Sequence, residues 1–127
     1  MKENVLLNKT FEFSIRIVNL YRYLRDEKRE FDLARQILKS GTSIGANVTE
    51  AAVAQSRKDF FAKIYIAYKE AKETEFWIKL LFATKILTEK QSTSLLNDLE
   101  EINKILSASL YTIRKKQKSE KNTTENK

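Results

Sequence analysis

At 127 residues, the chain is long enough for one domain with its own apolar core and leaves little room for a second. Its composition, 42% apolar and 32% charged, is that of a water-facing domain, and a formal net charge of +7 turns attention to anionic partners. The lack of Cys and His excludes disulfides, Cys-ligated metal, the commonest general base and the Ser-His-Asp and Cys-His arrangements.

There is no Pro, and the only glycines are Gly41 and Gly45. A chain so poor in turn formers and rich in Lys, Glu, Leu, Ile and Ala reads as all-α, with long helices and short connections. The first helix is expected from about Lys9 to Asp26, with Asn8 as N-cap. It carries two apolar stripes: Phe13, Ile17, Leu20 and Leu24, and a second of Phe11, Ile15 and Val18. Two stripes are more than one core-facing surface needs. Either the helix has a broad apolar face, or the second stripe meets another subunit.

Asp26 to Glu30 is a charged break. The second helix is expected from about Phe31 to Ala54, with Phe31, Ala34, Ile37, Leu38, Gly41, Ile44, Val48 and Ala52 near a 3.6-residue period. A glycine inside a helix costs about 1 kcal/mol against Ala, which close approach of another backbone can offset. Ala67 and Ala71 on the third helix offer a matching small face, so a crossing of these two helices there is expected. The alternative is a kink at Gly41.

Ser56 reads as the next N-cap, with Asp59 as a weak capping-box partner. The third helix continues without a breaker to about Leu87. Its core stripe is Phe60, Ile64, Ala67, Ala71, Ile78 and Phe82, widened by Trp77, Leu80 and Leu81. Thr88 and Gln91 form a Thr-x-x-Gln capping box that starts the fourth helix, whose clean face is Leu95, Leu99, Ile102, Leu106, Leu110 and Ile113. Residues 114–127 have no apolar side chain and are expected to be a disordered basic tail beyond a 1–113 domain. Four helices with short connections predict an antiparallel up-and-down four-helix bundle.

The tail holds six Lys or Arg against two Glu, more than half of the net excess. On the third helix Lys58, Tyr65, Lys69, Lys72, Phe76 and Lys79 fall along one stripe. Cations interleaved with rings suit phosphate contact and base stacking. The competing explanation is a solvated face whose lysine stems cover apolar neighbours, with Glu70 and Glu73 diluting the field. Gln36, Ser40, Ser43, Asn47 and Glu50 form a polar row along the second helix, either solvated or hydrogen-bonded at a helix or subunit interface. Glu75, at the edge of the core stripe, needs a partner, for which Arg35 and Lys39 are the candidates. No catalytic residue, cofactor or metal site is expected. A bundle di-iron site needs Glu-x-x-His, and a phosphate-binding loop needs more glycines than the chain has. No segment approaches a membrane span, and Met1 to Asn8 lacks a signal-peptide core, so a cytoplasmic location is expected.

Ser43-Ile44, Asn47, Glu50, Ser56, Asp59-Phe60, Ile66-Ala67 and the run Lys69 to Leu81, with its Glu73-Thr74-Glu75-Phe76-Trp77, resemble the family of four-helix-bundle proteins encoded in intervening sequences of bacterial 23S ribosomal RNA. Ala51 stands where that family usually has Gly, Val48 replaces Ile and Phe76 replaces Tyr. The resemblance implies a ring-like homopentamer. The family is in turn similar to the accessory protein of diversity-generating retroelements, a basic pentamer that binds nucleic acid and a reverse transcriptase. Three functions compete on this basis. The first is an oligomeric nucleic-acid-binding protein without enzymatic activity, using Lys58, Lys63, Tyr65, Lys69, Lys72 and Lys79 with Arg22, Arg25 and Arg29 toward RNA or DNA. The second is an oligomeric scaffold for a protein partner such as a polymerase or reverse transcriptase. The third is an enzyme, which the missing residue types disfavour. Gly41, Ser43, Asn47, Glu50, Ala67, Ala71, Glu75 and Trp77 are assigned to structure or helix interfaces.

Overall fold

The computed structural model describes residues 2–125, with side chains described for residues 5–122. It contains four helices, α1 (Lys2–Asp26), α2 (Asp32–Ala52), α3 (Arg57–Ala83) and α4 (Glu89–Glu125), and no strand among the described residues. Helices adjacent in sequence pack together and α4 closes onto α1, so α1 and α3 stand at opposite corners of an antiparallel four-helix bundle.

The predicted core is largely the observed one. Phe13, Ile17, Leu20 and Leu24 of α1 are buried with Ile37, Ile44 and Val48 of α2, Ile64 and Ile78 of α3, and the whole α4 stripe from Leu95 to Ile113. Phe31, Ala52 and Phe82, expected in that core, are exposed. Phe31 lies instead beneath the Arg29 guanidinium, 5.4 Å from its ring centroid. The two stripes of α1 separate: Val18 is half-buried, while Phe11 is 68% and Ile15 is 49% exposed.

Helix ends differ from expectation in two places. α1 begins at Lys2, so Asn8 lies exposed inside the helix and does not cap it. Nothing in residues 2–8 breaks a helix, and the earlier start carries Leu6 into the core. α4 does not stop at Ile113 but continues as helix to Glu125. Its extension runs back along α3, where Arg57 pairs with Glu120 and Arg114 lies over two rings. The expected disorder of residues 114–127 is corrected as far as Glu125; the last two lie outside the described residues.

The other ends follow local chemistry. Ser56 Oγ accepts from Asp59 N at 3.0 Å, and the Asp59 carboxylate accepts from Gln55 N at 3.3 Å. The Thr88 box closes in both directions: Gln91 N donates to Thr88 Oγ1 at 3.1 Å and Thr88 N to Gln91 Oε1 at 2.9 Å. α3 ends sooner than expected, in a left-handed turn at Lys85 (φ 67°), where Lys85 N donates to Phe82 O and Ile86 N to Leu81 O. This is the helix-ending Schellman pattern with Lys in the position that usually falls to Gly.

The two glycines serve a different neighbour from the one expected. A Cβ on Gly41 would lie 2.7–2.9 Å from three carbons of the buried Ile17 side chain, and one on Gly45 would lie 3.2 Å from Ser14 Oγ and Thr10 O. They let α2 approach α1, not α3. Ala67 and Ala71 are fully buried. At the α2–α3 seam the specific contact is polar: Ser40 Oγ and Thr74 Oγ1 are 3.0 Å apart in the core, and Thr74 also donates to Glu70 O at 2.8 Å.

Candidate nucleic-acid interface

The α3 stripe emerges as one surface, and α4 enlarges it. Tyr65 stacks on Phe61 with centroids 6.0 Å apart and planes at 21°. The Arg114 guanidinium of α4 sits 5.5 Å from the Phe61 centroid and 5.8 Å from that of Tyr65, and Lys69 Nζ lies 5.7 Å from the Tyr65 ring. Lys72 Nζ is 5.6 Å from the Tyr68 ring. Each contact holds a cation over a π face and keeps it accessible to an anion. Further along, Phe76 is 56% exposed and meets Trp77 edge to face, while Trp77 Nε1 donates to Glu73 Oε1 at 3.2 Å.

The pairing of α3 with α4 decides which residues share this face. The helices run antiparallel, bringing Arg57 to Glu120, Tyr65 to Arg114, and Lys72 to the same groove as Lys104. On α4, Lys104, Tyr111, Arg114 and Lys118 follow helical spacing on one outward side, and Tyr111 is 69% exposed. Sequence reasoning missed Phe61, Tyr68, Lys104, Tyr111 and Arg114. Phe61 and Tyr68 stand four residues before Tyr65 and Lys72 on α3, Lys104 and Tyr111 follow helical spacing on α4, and only Arg114 was hidden by the expectation that the helix ended at Ile113.

Other expected contacts lie elsewhere. Lys63 turns toward α2 and pairs with Glu50 at 3.3 Å. Arg22, Arg25 and Arg29 belong to the end of α1 and its following turn, away from α3. Arg25 is held 2.7 Å from Asp26, and this hydrogen bond raises the arginine's proton affinity and pushes the Asp26 carboxyl below its usual range. The partners of Glu75 are on its own helix, Lys79 at 3.3 Å and Lys72 at 3.8 Å, in place of the expected Arg35 or Lys39. Arg35 pairs with Asp32 at 2.5 Å. The polar row of α2 splits. Ser43 donates to Lys39 O at 2.7 Å and Asn47 to Ser43 O at 2.8 Å within the helix, while Ser40 crosses to α3.

Recesses mark the surface, and two of them border α3. One, about 320 Å³, opens where Leu6, Val48, Phe60 and Ile113 converge; it is mainly aliphatic, with Arg57 and Lys116 as its cations. The other, about 510 Å³, is a groove in the basic face itself, between α3 and α4. Among the described residues there is no group of three or more acidic, His or Cys side chains placed to hold a metal ion, and no helix long and apolar enough to cross a membrane.

These features define the class: a basic four-helix bundle with a cation-and-ring face along its last two helices. The chain belongs to the 23S rRNA-intervening sequence protein family, whose model matches residues 2–108. It is similar to a crystal structure of a protein of unknown function from the S23 ribosomal protein family of Bacteroides thetaiotaomicron VPI-5482. The identity is 53% and the TM-score 0.86, over 87% of this chain and 99% of that one. No curated protein matches. Neither match indicates an enzyme family.

Proposed function

We propose that this chain is a non-enzymatic, cytoplasmic, oligomeric nucleic-acid-binding protein whose binding face is the outer side of α3 and α4. The observation that carries the reading is the placement of Arg114 over the Phe61 and Tyr65 rings beside Lys69. Cations on rings at a solvent-facing surface match a polymer that offers phosphates and flat bases together. Glu75 lies between Lys72 and Lys79 and Glu100 beside Lys104, so two carboxylates are set against three lysines in the groove.

Self-association into a ring-like homopentamer is part of this reading. Its support is the stripe of Phe11 and Ile15 on α1, which faces solvent on the subunit. Repetition of a modest basic face around a ring adds avidity without new contacts. The same stripe favours the second reading, a scaffold for a protein partner such as a polymerase or reverse transcriptase, if it remains uncovered on the assembled particle.

Filter binding of RNA and DNA at low and physiological salt, with light scattering on the same sample, tests the proposal. A steep loss of affinity with salt is expected. Truncation after Ile113 is expected to weaken binding without abolishing it, because it removes Arg114 and Lys118 and leaves the α3 lysines. Absence of binding at low salt would sink the nucleic-acid reading and leave the scaffold reading in front.

A further inference from the structure

The groove between α3 and α4 holds a feature that phosphate contact does not explain. Its walls carry Lys72, Glu75 and Lys79 from α3 and Lys104 from α4, with Leu96, Leu99 and Asn103 also lining it. Leu96, half-buried above the buried Leu99, gives the groove an apolar patch. Asn103 lines the groove, and its Oδ1, turned away from solvent, has no hydrogen-bond partner among the described residues. An unpaired buried acceptor is costly, so a ligand that brings a donor to it is favoured.

We propose that this groove seats one unpaired base of a single-stranded nucleic acid, with the Asn103 amide meeting the base edge and Lys72, Lys79 and Lys104 meeting flanking phosphates. The inference rests on the nucleic-acid reading above and narrows it. A phosphate oxygen is itself an acceptor and cannot satisfy Asn103 Oδ1. A base can, through a ring N–H or an exocyclic amine once the amide turns outward, while its flat face covers Leu96. The lysines are loosely held, at 3.3 and 3.8 Å from Glu75 for Lys79 and Lys72 and 3.6 Å from Glu100 for Lys104, so they are able to turn to a phosphate. A duplex fits poorly, because its bases are stacked inward and a groove between two helices cannot reach them. The exposed rings of Tyr111 and Phe76, on the same face, suit the neighbouring bases of a strand.

The test is fluorescence anisotropy of the full chain with labelled ten-nucleotide single strands of RNA and DNA, an abasic strand with the same number of phosphates, and a duplex. Base-bearing strands are expected to bind about tenfold more tightly than the abasic strand or the duplex. Asn103→Leu is expected to erase that margin and leave the abasic affinity unchanged. Lys72→Gln with Lys79→Gln is expected to weaken every strand. Ser107→Trp, an exposed position on the groove wall, is expected to remove the same margin by blocking the seat without touching the core. The RNA and DNA arms show which polymer supplies the base. Equal binding of base-bearing and abasic strands, or a margin that persists in both groove variants, overturns the proposal and leaves general phosphate binding intact. So does a change of particle mass in Asn103→Leu with the margin kept, which assigns the amide to a subunit contact. Failure to bind any strand overturns both readings.

Discussion

Gly41 shows how one residue sets the distance between two helices. Ile17, which a Cβ there would strike, is fully buried and cannot swing away. Gly41→Ala is expected to destabilise the bundle by ~1–3 kcal/mol, overpacking outweighing the gain in helix propensity. Urea denaturation measures this, and pairing the change with Ile17→Val is expected to recover part of the loss, because the two sites are in contact. Gly45→Ala is expected to cost less, since its nearest neighbours lie at 3.2 Å. Glu70 carries a pH-dependent term. Partial burial, then the nearby Glu73 carboxylate, push its carboxyl above the usual range. Its charge therefore weighs against the fold at neutral pH, and that cost falls away as pH drops and the group takes up a proton. Glu70→Gln is expected to raise the thermal midpoint at pH 7 and to lose that advantage as the pH falls through the carboxylate range. An advantage unchanged at acid pH would show that the ionised carboxylate is not its source.

At the scale of the element, the ends of the helices show what could be read locally. Ser56 and Thr88 cap as their sequences indicate, because a side-chain oxygen three residues before an open N–H is a purely local arrangement. Thr88→Ala is expected to cost ~0.5–2 kcal/mol of unfolding free energy, with the loss confined to the start of α4 in hydrogen exchange. The end of α3 was not legible, since a left-handed Lys leaves no mark in the sequence. Lys85→Gly is expected to raise stability by up to ~1 kcal/mol, the relief of the left-handed strain exceeding the added entropy of the unfolded chain. A thermal midpoint at or below that of the parent chain would contradict this. The start of α1 and the extension of α4 were missed for a related reason. Neither stretch contains a breaker, and whether a polar or short segment stays helical depends on neighbours such as the α3 residues Arg57, Phe61 and Tyr65.

At the scale of the molecule, the seams differ in kind. α1 meets α4 through ion pairs, Lys9 with Glu101 at 2.7 Å and Arg16 with Asp98 at 2.6 Å, whereas α1 meets α2 through the glycines. The Glu101 hydrogen bond raises the Lys9 proton affinity, so this contact is complete at neutral pH. The outward stripe of α1 is used by none of these seams. Under the oligomer proposal, Phe11→Lys with Ile15→Lys is expected to reduce the particle to a folded monomer in light scattering, with circular dichroism unchanged. A parent chain that is already monomeric at micromolar concentration would remove that part of the proposal.

Fold class and most of the core were legible because helical periodicity and the shortage of turn formers are properties of the chain itself: Phe13, Ile17, Leu95 and Leu99 could be placed without a neighbour. The α3 half of the basic face was legible for the same reason, since Lys69, Lys72 and Lys79 share one helix side. Tertiary structure decided which cations stand together. It set Arg114 over Phe61 and Tyr65, turned Lys63 to Glu50, and left Arg22 and Arg25 on α1 and Arg29 in the turn after it, away from α3. It also created the α3–α4 groove with the orphaned Asn103 acceptor. Periodicity places a side chain on a face of its own helix, but the register between two helices depends on how their cores interlock, and no single helix contains that information.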